Sequence, residues 1–66
     1  MLLDQDGSIP LKTVNKLPRN GRALGFDTAR DMDGQLHRVV VWKWRDQYET
    51  RTGDFDLETA EYLGDR

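Results

Sequence analysis

Apolar positions concentrate in residues 35–45, QLHRVVVWKWR, the run that carries both tryptophans. Branched aliphatics and aromatics over this length suit a β-strand, so the run reads as the central strand of a small sheet. Residues 22–30 read as a first strand, and Asp33-Gly34 between the two is the strongest hairpin signal in the chain. A two-residue turn there pairs Met32 with Gln35. It then sets Gly25 opposite Trp42, Ala23 opposite Trp44, Phe26 opposite Val41 and Leu24 opposite Lys43, with an indole lying over a glycine. Strand alternation divides the central strand into two faces. His37, Val39, Val41, Lys43 and Arg45 share one, with Leu24 and Phe26. Leu36, Arg38, Val40, Trp42 and Trp44 share the other, with Ala23, Gly25 and Ala29. Neither face is wholly polar, although a sheet covered on one side shows cleaner alternation. Either each face takes a helix, or both helices cover one face and leave the other as a binding surface, and Trp42 and Trp44 are accordingly core or interface residues.

Upstream, residues 1–8 form a loose segment with a turn at Asp6-Gly7. Ser8 then caps a short helix, Pro10 is tolerated in its first turn, and Leu11, Val14 and Leu17 make an apolar stripe at three-residue steps. Pro18 stops this helix near Lys16. The alternative is an extended arm with Ile9 and Leu11 on one side. Residues 18–21, PRNG, form a turn. A second turn at residues 45–47 leads to a third strand at residues 48–53. With two residues in that turn, Tyr48, Thr50 and Thr52 fall beside Val39 and Val41, while Arg51 falls beside the tryptophans. With three, Tyr48 and Thr50 go to the tryptophan face, because one residue of slip exchanges the sides of a strand. Asp54 or Asp56 caps a last helix, DLETAEYL, with Leu57, Ala60 and Leu63 as its stripe and Gly64 as its stop. The expected fold is α+β: a three-stranded antiparallel β-meander with a C-terminal helix and a short N-terminal helix, in one small domain over residues 1–66.

Sixty-six residues allow only a small core, since a chain of this size buries about 60% of its unfolded surface. With no cysteine, neither disulfide nor thiolate–zinc staple is available. The opening MLLDQDGS is short and acidic for a signal peptide, and no apolar run approaches the ~20 residues of a membrane span. A cytoplasmic protein without membrane contact is expected. The net charge is −2, unevenly placed. Residues 19–51 hold seven Arg and Lys against five acids, and residues 52–66 hold five acids against Arg66. A mildly basic middle followed by an acidic end is an asymmetry of the kind that accompanies binding.

Catalytic chemistry finds little support. Ser8 is the one serine and His37 the one histidine, and His37 sits mid-strand with no second ligand at a useful spacing, so it reads as a surface or interface residue. Asp-x-Asp-Gly occurs at residues 4–7 and 31–34, but an EF-hand loop needs an acid at position 1 and glutamate at position 12. The aligned residues are Leu2 and Thr13, or Ala29 and Val40, so both are turns. Asp54, Asp56 and Glu58 read as helix capping, where negative charge is stabilising. Neither metal nor cofactor is expected, and the protein reads as a non-enzyme.

The constellation that points to function is Arg38, Trp42, Lys43, Trp44, Arg45 and Arg51. Tryptophan and arginine anchor protein interfaces, and aromatics among cations also stack bases and neutralise phosphates. The expectation is a small regulator or inhibitor, of a kind mobile elements such as phages encode, that binds a protein partner through its sheet or an edge strand. Nucleic-acid binding on the same face is the alternative, and homodimerisation by edge pairing is open to such a sheet. Two partial resemblances accompany this reading. Residues 52–63, TGDFDLETAEYL, resemble the strand-to-helix step of the arm-type DNA-binding domains of phage-type integrases, which implies DNA as a ligand. VVVWKW resembles the tryptophan-bearing strand of chromodomains. Each covers under half of the chain without a specific motif, and no family is assigned.

Overall fold

The computed structural model describes residues 9–66; the Ser8 cap and the turn at Asp6-Gly7 lie outside them. Among the described residues there are one four-residue helix, α1 (Leu11–Val14), and four strands: β1 (Arg22–Arg30), β2 (Leu36–Arg45), β3 (Thr50–Asp56) and β4 (Tyr62–Asp65). They make a single antiparallel sheet in the order β1-β2-β3-β4. The expected three-stranded α+β fold is therefore corrected to a four-stranded meander that is mostly β.

The C-terminal helix is the element that fails. Asp56 does cap a helical turn: its Oδ1 accepts the N–H groups of Glu58 and Thr59 at 2.8 and 2.9 Å. The Ala60 N–H then reaches the Asp56 carbonyl at 2.9 Å, and Ala60 adopts φ +66°, the left-handed conformation that ends helices. One turn forms and stops. The Asp56 N–H closes on the Glu61 carbonyl at 2.8 Å, and the chain returns as β4. The return packs the Tyr62 ring 6.4 Å from Trp44 and 5.3 Å from Phe55 between centroids. Gly53 makes room for it, since a Cβ there would lie 2.9 Å from Tyr62 Cε1.

The first hairpin is also corrected. Asp31 and Gln35 close a three-residue loop of Met32, Asp33 and Gly34: the Asp31 N–H donates to the Gln35 carbonyl and the Gly34 N–H to the Asp31 carbonyl, each at 3.0 Å. Gly34 has φ +83°, so this is a type I turn followed by a left-handed residue, not a two-residue turn. Asp31 selects it by accepting the Asp33 and Gln35 N–H groups on Oδ1, both at 2.9 Å. The register slips by one, to Phe26 opposite Val40 and Gly25 opposite Val41. A bulge between Ala23 and Gly25 then sets Ala23 opposite Trp42. No side chain lies over Gly25; it is Gly21 that meets an indole, with a built Cβ falling 2.3 Å from Trp42 Nε1.

The second turn resolves the strand-three alternatives. The Asp46 N–H reaches the Glu49 carbonyl at 2.9 Å, leaving Gln47 and Tyr48 as the turn. Arg45 pairs with Thr50, Lys43 with Thr52 and Trp42 with Gly53. Thr50 and Thr52 join the valine face and Arg51 joins the tryptophans, while Tyr48 is an exposed turn residue. β3 begins two residues later than expected and runs on to Asp56.

The core lies on the tryptophan face. Val40, Trp42, Trp44 and Phe55 pack with Ile9 and Leu17 from the α1 segment, and Val14, Ala23, Leu57 and Ala60 border them. The helical stripe is corrected too: Leu11 is 75% exposed. The buried contact on α1 is Thr13, whose hydroxyl donates to the Leu57 carbonyl at 2.8 Å, with the Glu58 carbonyl at 3.1 Å. The segment docks on the one-turn loop before β4 by a hydrogen bond, which hydrophobic periodicity does not report.

Candidate interaction surface

Trp42 and Trp44 are each 8% exposed, and both are core. The Trp42 Nε1–H donates to the Pro18 carbonyl at 3.1 Å, and Trp44 meets the Phe55 ring edge-on at 5.4 Å between centroids. Arg51 lies over Trp44 at 5.2 Å and Tyr62 at 5.9 Å from the ring centroids. Its Nη2 donates to Asp65 Oδ1 at 2.9 Å and to the Tyr62 hydroxyl at 3.2 Å. The Tyr62 hydroxyl also donates to Asp65. This contact with Asp65 raises the Tyr62 pKa, as the Asp65 carboxylate raises that of Arg51, while hydrogen bonds from Tyr62 and then Arg51 lower that of Asp65. Arg51 is thus a cap over the aromatic core.

The other cations of the sequence-derived set part company. Arg38 stands on the tryptophan face at the hairpin end, beyond the reach of α1. Phe26 and Leu36, on the same face, are 48% and 57% exposed there. Lys43 and Arg45 stand on the valine face at the opposite end, with Arg22 directly across from Lys43. A groove at this end is bordered by Asn20, Gly21, Arg22, Lys43, Trp44, Arg45 and Thr50. Arg22 is missing from the sequence-derived set because its partner depends on the bulge in β1, and no residue pattern announces that bulge.

The rest of the valine face is a polar lattice over Val39 and Val41, both buried. Arg66 spans the central strand, donating to Asp54 of β3 at 2.8 Å and to Asp27 of β1 at 2.9 Å. His37 joins the two hairpin loops. Its Nδ1 is 2.6 Å from Asp56 and its Nε2 2.8 Å from Asp31, so both ring nitrogens act as donors when the imidazole is protonated. Hydrogen bonding to Asp31 and then Asp56 raises the His37 pKa. His37 and the Gln35 N–H in turn lower that of Asp31. Burial alone would raise Asp56, but the Thr59 N–H, His37 and the Glu58 N–H outweigh it, and its pKa falls. Each aspartate spends one oxygen on its own loop and the other on His37. The sequence reading of His37 as a surface or interface residue missed this clip, because neither aspartate is a near neighbour in a strand pattern.

β1 is the long open edge. Its ladder alternates, and Asp31 points its N–H toward β2, so Phe26, Thr28 and Arg30 turn their backbone groups outward. The Thr28 N–H is already taken by Asp27 Oδ1 at 2.8 Å, which shields the middle of the edge.

Among the described residues, no helix is long and apolar enough to cross a membrane, and no group of three or more His, Cys, Asp or Glu is placed to hold a metal ion. No family model, curated protein or solved structure matches the chain.

Proposed function

We propose that the protein is a small non-enzymatic binding module, a regulator or inhibitor, that receives a protein partner along β1. The observation that carries this reading is the β1 edge, whose Phe26 and Arg30 backbone groups face outward on either side of the shielded Thr28 N–H, with Phe26, Leu24 and Leu36 exposed beside it. Open edges accept strands, with side-chain pockets supplying specificity. Arg38 stands next to these apolar groups as the cationic anchor. Trp42 and Trp44 contribute as core beneath the surface, not by contact. The same edge permits pairing of two copies, which sedimentation at high concentration reads out. Nucleic-acid binding is the weaker reading because both indoles are covered and cannot stack bases.

A photoreactive phenylalanine at position 26, introduced in the cells that produce the protein, tests the proposal. A discrete adduct that protease removes and nuclease does not is the expected result, with the same group at position 48 giving none. Adducts of equal yield from both positions, or an adduct removed by nuclease, would overturn the reading.

A further inference from the structure

We propose that Arg22, Lys43 and Arg45 form a docking site for an acidic stretch of the partner protein. This rests on the protein-binding reading and adds to it the chemistry of one contact. Arg22 and Lys43 are directly opposite each other on adjacent strands, and Arg45 follows on the same face. Like charges in opposed positions destabilise a sheet, and nothing within the described residues relieves them: none of the three lies within 4.0 Å of a carboxylate. The acids further along that face are occupied, Asp27 and Asp54 by Arg66 and Asp56 by His37. Charge that no carboxylate among the described residues neutralises is available to a ligand. Thr50 and Thr52, opposite Arg45 and Lys43, add hydroxyl donors to the same patch.

The site selects a short run of carboxylates over a nucleic acid. Beyond Lys43 the face turns acidic at Asp54, Asp27 and Asp56, so a phosphodiester chain longer than the cluster runs onto negative charge. A peptide can confine its acids to two or three residues and continue with neutral ones.

Titration of the isotope-labelled protein with hexaglutamate, and separately with a thymidine hexanucleotide, at low salt provides the test. Hexaglutamate is expected to shift the signals of Arg22, Lys43 and Arg45. The Lys43→Gln/Arg45→Gln double variant is expected to weaken binding about tenfold or more, as loss of paired charges does. In the unliganded protein, Lys43→Gln is expected to raise Tm at low salt, and the gain should vanish at high salt, because a repulsion is being removed. The inference is overturned if the hexanucleotide binds as tightly as hexaglutamate or more so. It is equally overturned if hexaglutamate leaves these signals unmoved, or if Lys43→Gln lowers Tm regardless of salt. A position-26 adduct together with silent hexaglutamate would leave β1 as the partner edge and remove only the acidic docking site.

Discussion

His37 is the residue through which pH acts on this fold. Asp31 and then Asp56 raise its pKa above the ordinary value of 6.5. Protonation is therefore favoured by folding, and the stabilisation is complete below that value and is lost as pH rises through the folded pKa. The aspartates run the other way: held below 3.8, they contribute above that value and lose their contribution as pH falls through the folded one. Thermal melts should show Tm falling as pH rises from the ordinary histidine value through the higher folded one, and His37→Gln should flatten that slope. A slope unchanged in the variant would place the pH dependence elsewhere. Gly21 makes a second demand at this scale. A methyl there falls 2.7 Å from Trp42 Cε2 and 2.8 Å from the Lys43 carbonyl, so the indole or the strand must move. Gly21→Ala should cost about 1–3 kcal/mol, the usual cost of overpacking, with a Trp42 fluorescence shift. The sequence did mark Asn20-Gly21 as a turn, and Asn20 has φ +61°. That Gly21 is also a seat for an indole depends on a contact across 21 positions, which local residue types do not encode.

At the level of elements, β2 was legible because burial on both faces imposed a long apolar run, and β1 through the hairpin signal beside it, while the element ends were not. β1 and β2 follow from residues 22–30 and 35–45, yet their register slipped because Asp31, two residues before Asp33-Gly34, captures two backbone N–H groups. The C-terminal stretch carried sound helical cues: an acidic cap, a three-residue stripe and a glycine stop. What outweighs them is length. A helix of two turns is marginal by itself, whereas a fourth strand gains a ladder and seats Tyr62 against Trp44 and Phe55. Ala60 bears the cost at φ +66°, where a residue with a Cβ loses about 1–2 kcal/mol. Ala60→Gly removes that strain and returns part of it as unfolded-chain entropy, for a net gain of about 0.5 kcal/mol. On a domain of this size that is a rise of roughly 2–4 °C in Tm. A fall in Tm would mean that the Ala60 methyl, at the border of the core, matters more than its backbone.

For the whole molecule, the two sheet faces divide the labour. The tryptophan face holds the core under α1, and the valine face is closed by ion pairs from Arg66 and His37 that, among the described residues, leave Arg22, Lys43 and Arg45 without a carboxylate at one end. Of the candidate constellation, Lys43 and Arg45 enter the proposed docking site and the two tryptophans do not. Residue chemistry picked out Lys43 and Arg45, but aromatic type alone cannot distinguish an anchor for a partner from a core residue, and burial assigns Trp42 and Trp44 to the core. A domain of this length has total stability on the order of 3–10 kcal/mol, and truncation of a buried tryptophan costs about 3–5 kcal/mol. Trp42→Ala should thus leave the chain largely unfolded or close to it, because it also abandons the Pro18 carbonyl that the indole N–H satisfies. Phe26→Ala, at a half-exposed edge position, should lower stability by no more than about 1 kcal/mol and keep the same urea m-value. Urea titrations of the two variants side by side separate core from surface. Equal losses would return Phe26 to the core, and with it the edge on which partner binding is argued.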